Sequence, residues 1–336
     1  VSQKNFEKIP GSPIGYWVSE NFLSSFEFPL FSKYGKGVKG LDSGDNNTYV
    51  RNLWEISNNS TKWVSYCSGG PFRRWYGNYY YVIDYKKVIN FNGAYVRNKD
   101  SYFKEGFEWS RVSSNHFGVR KVVNAIFGGA SQMAFIKNSN LNKFIAIYNT
   151  KIVEFYIKFL NPTMITQAGD VNRIPICEKE PNELNKYVNN NISISRQDWD
   201  AHETSWDFQK NELVRLKDEG FYSKVTIENE PIDIGITLCE LCLHYKMQWE
   251  AKFNELHANE EELNRQFIDI YGLQDELTPD VPLNEITILQ QGEISIEDNA
   301  IVWHDDVLMK QLISYAVGCM MGRYSIDKPG LILANQ

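Results

Sequence analysis

The stretch from Leu141 to Ile176 constrains the fold more than any other. Leu141, Phe144, Ile145, Tyr148, Ile152, Phe155, Tyr156 and Phe159 recur at spacings of three and four, which puts them on one helical face. Lys143, Lys151, Glu154 and Lys158 fall largely on the other. The spacing predicts one amphipathic helix over 141–160. Pro162 stops it, because proline cannot donate to the helical ladder and pushes its neighbour extended. So wide an apolar face needs a sheet or other helices against it, and this helix is expected to be the scaffold of a first domain.

Short strands are expected before that helix. Arg51–Ile56 and Tyr79–Tyr85 read as strands, the second rich in β-forming residues. Residues 102–136 read as several more, joined by polar turns. Ile14–Phe26 reads as a short helix. Beyond the scaffold helix, residues 181–230 are rich in Asn, Asp, Glu and Ser with weak periodicity, so a connector with one short helix is expected. Long helical patterns follow at 236–271 and 304–322, the second with Asp305 and Asp306 in its first turn, where the helix dipole favours them. The expected fold class is α+β: a mixed-sheet domain with a packed amphipathic helix, then a mainly helical region. The segments expected are 1–180, 181–230 and 231–336.

Charge divides the chain the same way. Residues 1–180 carry 23 Lys and Arg against 14 Asp and Glu, whereas residues 181–336 carry 12 against 28. A basic part beside an acidic part points to modules with different partners, the basic one suited to a polyanion. No run of 18 apolar residues exists, so no membrane span is expected. Five cysteines in 336 residues fit a reducing cytoplasm. The chain begins Val-Ser-Gln-Lys, without Met or a signal-peptide pattern, and reads as a piece of a longer polypeptide.

Catalytic patterns are scarce. Gly35, Gly37 and Gly40 fit G-x-G-x-x-G, but LDSGDNN follows where a nucleotide loop needs a helix. Cys239 and Cys242 form a lone C-x-x-C without the second pair a zinc site needs. Asn161-Pro162-Thr163 lacks the second proline and the aromatic of the amino-methyltransferase loop, and Pro279-Asp280 lacks a nuclease continuation. No catalytic, cofactor or metal residue is assigned. Binding residues are easier to place. Lys33, Lys36 and Lys39 sit in what reads as a flexible loop suited to a nucleic-acid backbone. Arg73 and Arg74 interleave with aromatics, as suits phosphates, guanine edges and stacked bases, although the tyrosines read equally well as a core edge. Asn46, Asn47, Asn115 and His116 are candidates for base edges, and Arg120 and Lys121 complete the cationic set. The residues point to a nucleic-acid-binding module joined to an acidic helical module.

Several stretches carry a resemblance. FEKIPGSPIGYWVSENF (6–22), GLDSGDNNTYVRNLWEI (40–56), PFRRWYGN (71–78), YFKEGFEWSRVSSNHFGVR (102–120), LNPTMITQAGDVNRIPI (160–176), ISISRQDWDAHETSWDF (192–208), YGLQDELTPDVPLNEITIL (271–289) and LISYAVGCMMGRYSIDKPGLILAN (312–335) resemble the region after the catalytic domain in large adenine-specific DNA methyltransferases of the PglX type. Those are modification enzymes of BREX phage defence, related to type IIG restriction-modification enzymes. The resemblance implies a TaqI-like target recognition domain in residues 1–180 and a helical spacer after it. It implies S-adenosylmethionine as cofactor of the parent enzyme, bound upstream and not in this chain. The implied partners are double-stranded DNA, the N-terminal methyltransferase domain of the same polypeptide and other defence proteins. The other reading is a helical scaffold that docks the catalytic domain or those proteins.

Overall fold

The computed structural model describes residues 18–56, 61–113, 116–220 and 236–332, and residues 223–227 and 230–234 as backbone. They fall into two compact units. The first takes residues from 18–55, 61–196 and 258–281; the second takes 197–257 and 282–332 with Ile56. These units cut the chain differently from the expected segments 1–180, 181–230 and 231–336, because residues 258–281 join the first unit.

Two four-stranded sheets organise the first unit. Its strands are β1 (Gly35–Val38), β2 (Val50–Asn52), β3 (Trp63–Cys67), β4 (Tyr81–Asp84), β5 (Gly106–Ser110), β6 (Arg120–Val122), β7 (Ile126–Phe127) and β8 (Ser131–Ile136). One sheet runs β1-β8-β5-β6, antiparallel throughout. The other runs β2-β4-β3-β7, with β3 and β7 parallel. Both helices and mixed sheets are present, so the α+β class holds. Leu41, Tyr66, Ile83, Val122, Phe127 and Met133 are among the residues of one buried cluster spanning the sheets.

The scaffold helix is two helices. Leu141–Tyr148 and Lys151–Leu160 are separated at Asn149 and Thr150. Asn149 caps the first helix, and its side chain binds the backbone of Val119. Its side-chain oxygen accepts from the Val119 N–H at 2.8 Å, and its amide donates to the Val119 carbonyl at 3.1 Å. Thr150 then takes an extended backbone, and the Lys151 N–H donates to the Asn264 side chain at 2.9 Å. The apolar face survives the break. Phe144 and Tyr148 pack on Phe31 with ring centres 5.4 and 5.3 Å apart, and Phe155, Tyr156 and Phe159 surround Phe22 at 4.8–4.9 Å. Phe22 lies on the short helix Glu20–Ser25, shorter than the 14–26 expected and with its expected start outside the described residues.

The glycines at 35, 37 and 40 serve close strand packing. A Cβ on Gly35 would stand 2.6 Å from the Phe135 carbonyl oxygen, and one on Gly40 would stand 1.9 Å from that of Phe127. The Lys33–Lys39 stretch is therefore a 3-10 turn, Phe31–Lys33, followed by strand β1, and not a flexible loop.

The expected connector contains a 17-residue helix, Leu184–Asp200, and the helix Glu212–Asp218. The first escapes periodicity because its buried stripe is half polar: Leu184, Val188, Asn191, Ser195 and Asp198 are all buried. The long helix Leu238–Tyr271 is continuous over 34 residues. In the second unit, hairpins form from Ser223–Ile227 with Glu230–Ile234 and from Ile294–Glu297 with Ala300–Trp303, and a helix spans Asp305–Met320. Phe208, Tyr315 and Tyr324 make an aromatic core there, with centroids 5.3–6.0 Å apart. No helix among the described residues is long and apolar enough to cross a membrane.

Candidate nucleic-acid interface

The turn after β1 builds a polar cleft in the first unit. Leu41 bridges Gly128 and Asp42 bridges Tyr95, so the backbone is fixed on both sides before it turns. Asp45 then caps the one-turn helix Asn46–Tyr49 by accepting from the Thr48 N–H at 3.1 Å. Asp42, Ser43, Asn46, Asn47, Ser68 and the Gly129 backbone line a cleft of about 530 Å³. Gly129 is required at its floor, since a Cβ there would stand 2.1 Å from an Asp42 carboxylate oxygen.

Of the residues singled out from sequence, Lys39, Asn46 and Asn47 come together here. Asn46 and Asn47 are exposed, and the Asn46 side-chain oxygen accepts from the Ser43 hydroxyl at 2.5 Å. Lys39 stands at the rim, 3.0 Å from Asp42, whose other cationic partner is Arg97 at 2.5 Å. Burial alone would raise the Asp42 carboxyl; its bonds to Arg97 and Lys39 hold it below the ordinary range instead. The cleft thus presents amide donors and acceptors beside a carboxylate locked in its charged form.

The remaining cations divide by burial. Lys36 is exposed on β1, and Lys33 is exposed at 3.3 Å from Glu178. Lys121 is partly covered and pairs with Glu105 at 2.9 Å. Arg73, Arg74 and Arg120 are only 3%, 3% and 1% exposed. The Arg74 guanidinium donates to Glu260 at 2.6 Å, and the Trp75 indole N–H donates to the other oxygen of that carboxylate, also at 2.6 Å. Arg120 donates from Nε to Glu108 at 3.1 Å, from Nη1 to the Arg73 carbonyl at 3.3 Å and from Nη2 to Ser110 at 3.3 Å. Ser131 also donates to Glu108. A buried guanidinium engaged this way organises the interior and offers no surface charge to a phosphate. These three arginines, expected at the interface, are buried in the first unit.

His116 lies apart from the cleft around Asn46. Its side chain is 34% exposed, with Nδ1 at 3.4 Å from Glu154, in a separate recess of about 310 Å³ that includes Asn161 and Thr163. Asn115 lies outside the described residues.

Sequence reasoning missed Asp42, Ser43, Ser68 and Arg97. GLDSGDNN is legible as turn chemistry, which marks Asp42 and Ser43 as a loop pair. Nothing local marks Arg97, which reaches Asp42 across 55 residues.

No family model matches the chain. Among curated proteins, the adenine-specific methyltransferase BrxX of Escherichia coli O9:H4 (strain HS) is 32% identical over 355 aligned residues, covering 99% of this chain and 28% of that protein. The adenine-specific methyltransferase PglX of Lacticaseibacillus casei (strain Zhang) is 31% identical over 369 aligned residues, covering 100% of this chain and 28% of that protein. The chain spans little more than a quarter of the length of these relatives. The resemblance read from the sequence holds: along its whole length the chain is a relative of the PglX-type adenine-specific methyltransferases of BREX.

Proposed function

We propose that this relative of the PglX-type methyltransferases supplies sequence-specific DNA recognition to an adenine-N6 DNA methyltransferase of a phage-defence system. The polar cleft that gathers Lys39, Asn46 and Asn47 carries this reading. Amide side chains can bond adenine edges in pairs, and an acceptor such as the Asp42 carboxylate can take a cytosine amino group. Lys33, Lys36 and Lys39 serve as phosphate contacts that set register, while Asn46 and Asn47 serve as base readers. The adenine itself would be turned out of the duplex into a site on another part of the parent polypeptide, where S-adenosylmethionine supplies the methyl group. The duplex and that methyltransferase domain are the partners of this reading.

The test is fluorescence anisotropy of the 336-residue chain with duplex DNA across a salt series. Binding should weaken steeply with salt, and Lys33→Ala with Lys36→Ala should flatten the slope by about 1–2 units. In the parent enzyme, Asn46→Ala and Asn47→Ala should relax the methylated sequence at one or two positions, each change corresponding to about 1–3 kcal/mol of lost discrimination. Undiminished site selectivity in both variants would remove the cleft from recognition.

A second reading has its own observation. Leu243, Met247, Ile313 and Met320 in the second unit are 57%, 61%, 62% and 78% exposed, which favours a docking role for the helical part. Ile313→Lys with Met320→Lys should then abolish co-purification with the methyltransferase domain and leave DNA binding intact.

A further inference from the structure

Residues 91–99 carry an aromatic ring on a backbone that is tied down at every side. The Tyr95 N–H donates to the Asp42 carbonyl at 2.8 Å, and the Tyr95 carbonyl accepts from the Asp42 N–H at 3.0 Å. The Asn98 amide donates to the Lys39 carbonyl at 2.8 Å, and the buried Tyr102 hydroxyl donates to the Arg97 carbonyl at 2.8 Å. The Phe91 ring stands 5.2 Å from that of Tyr49. Gly93 touches the neighbouring turn so closely that a Cβ on Gly44 would stand 2.2 Å from its carbonyl oxygen. All these ties run to the segment 39–49 that holds the cleft or to the core beneath it. Yet the Tyr95 side chain remains 65% exposed.

One cation stands against this ring, and others follow along the chain. The Arg97 guanidinium carbon is 5.2 Å from the centre of the Tyr95 ring, held there by its ion pair with Asp42. Lys86, Lys87 and Lys99 are exposed on the same stretch of chain, against Asp100 as the one exposed acid of residues 85–100.

We propose that residues 86–99 are a second DNA-contacting strip beside the cleft. Lys86, Lys87 and Lys99 take backbone phosphates, and Tyr95, oriented by Arg97, lies against a base or deoxyribose. The inference rests on the DNA-recognition reading above and adds to it the residues that grip the duplex next to the base readers. A rigid ring on a fixed backbone costs little ordering on binding, which is what makes tyrosine an efficient anchor. Arginine beside an aromatic ring adds a cationic face of the kind that single bases and sugars stack on. Lys86, Lys87, Arg97 and Lys99 against Asp100, the buried Asp84 that stands 3.9 Å from Lys87 and the Asp42 that pairs with Arg97 leave the strip net positive, the sign a phosphate backbone needs.

The experiment compares three variants of the 336-residue chain with the wild type, by anisotropy on labelled duplex from about 50 to 200 mM salt. The triple variant Lys86→Ala, Lys87→Ala, Lys99→Ala should lower the slope of log affinity against log salt by about 2–3. Tyr95→Ala should weaken binding about tenfold at every salt concentration with the slope unchanged, and Tyr95→Phe should retain wild-type affinity. All four side chains are exposed, so thermal melting of the variants should match the wild type. If these variants bind as tightly as wild type while Lys39→Ala or Asn46→Ala does not, this inference falls and the cleft reading stands. Failure of the wild-type chain to bind duplex at low salt would overturn both.

Discussion

A guanidinium taken out of water needs a carboxylate and the rest of its donors satisfied. Arg74 finds its carboxylate in Glu260, which also receives the Trp75 indole N–H. Removing the cation leaves a buried carboxylate with a neutral donor. Arg74→Ala is therefore expected to destabilise the first unit by about 3–5 kcal/mol, read as a lower urea midpoint. Replacing the pair together, Arg74→Met with Glu260→Leu, should recover part of that loss, the rest remaining because the buried Trp75 indole N–H loses its acceptor. Unchanged stability of Arg74→Ala would return Arg74 to the surface set. Lys36→Ala, by contrast, should leave the midpoint within about 0.5 kcal/mol of wild type. The arginines illustrate how far single residues are legible. Their type is plain in PFRRWYGN and HFGVRK, and basic residues among aromatics fit a DNA face as well as a core. What decides between them is the acceptor, and Glu108 and Glu260 lie 12 and 186 residues away from their arginines. Asn46 and Asn47 were legible for the opposite reason: their turn is written locally.

At the scale of elements, the break between Leu141–Tyr148 and Lys151–Leu160 turns on one side chain. Asn149 answers both backbone groups of Val119, which is itself fully buried. Asn149→Ala should orphan that N–H, while the carbonyl keeps the Trp75 N–H at 2.9 Å, and cost about 1–3 kcal/mol, with hydrogen exchange accelerated at the Val119 amide. An exchange rate equal to wild type would show that the break does not depend on Asn149. Periodicity could not reveal the break, because both helices bury apolar faces and the three-four pattern runs through the joint. The elements with a two-residue or 3.6-residue apolar pattern were legible: the strands of 102–136 and the helices Leu238–Tyr271 and Asp305–Met320. Leu184–Asp200 was not, because Asn191, Ser195 and Asp198 occupy buried positions where a hydrophobic pattern needs apolar residues.

For the molecule as a whole, the two units should respond differently to pH. The second unit buries His202 with Nε2 2.5 Å from Glu293, which also accepts from the Gln311 amide at 2.8 Å and the Gln291 N–H at 2.8 Å. Burial pulls His202 down, but its bond to Glu293 and the nearby Asp198 carboxylate carry it above the ordinary 6.5. Burial raises Glu293, but the bond and charge of His202 carry it below the ordinary 4.5. The histidine contribution is complete below about 6.5 and is lost as pH rises through its raised value. The glutamate contribution is complete above about 4.5 and is lost as pH falls through its lowered value. Melting of the second unit should therefore peak in mildly acidic buffer and decline toward alkaline pH, and His202→Gln should flatten the alkaline decline. An alkaline limb identical in that variant would assign the pH response elsewhere.

The late return of residues 258–281 to the first unit bears on how a ribosome would deliver it. When Arg74 and Trp75 emerge, the carboxylate that answers them is still 186 and 185 residues away in the message. At about 5–20 residues per second, that is a wait of roughly 10–40 s. Nascent chains stalled near residue 200 should hold the β-sheets without a closed interior around Arg74, and a protease should cut them where it spares chains stalled beyond Val281. Vectorial synthesis thus sets a long window in which the two sheets exist before their last buried counterion, and holdase chaperones would find their substrate in that window.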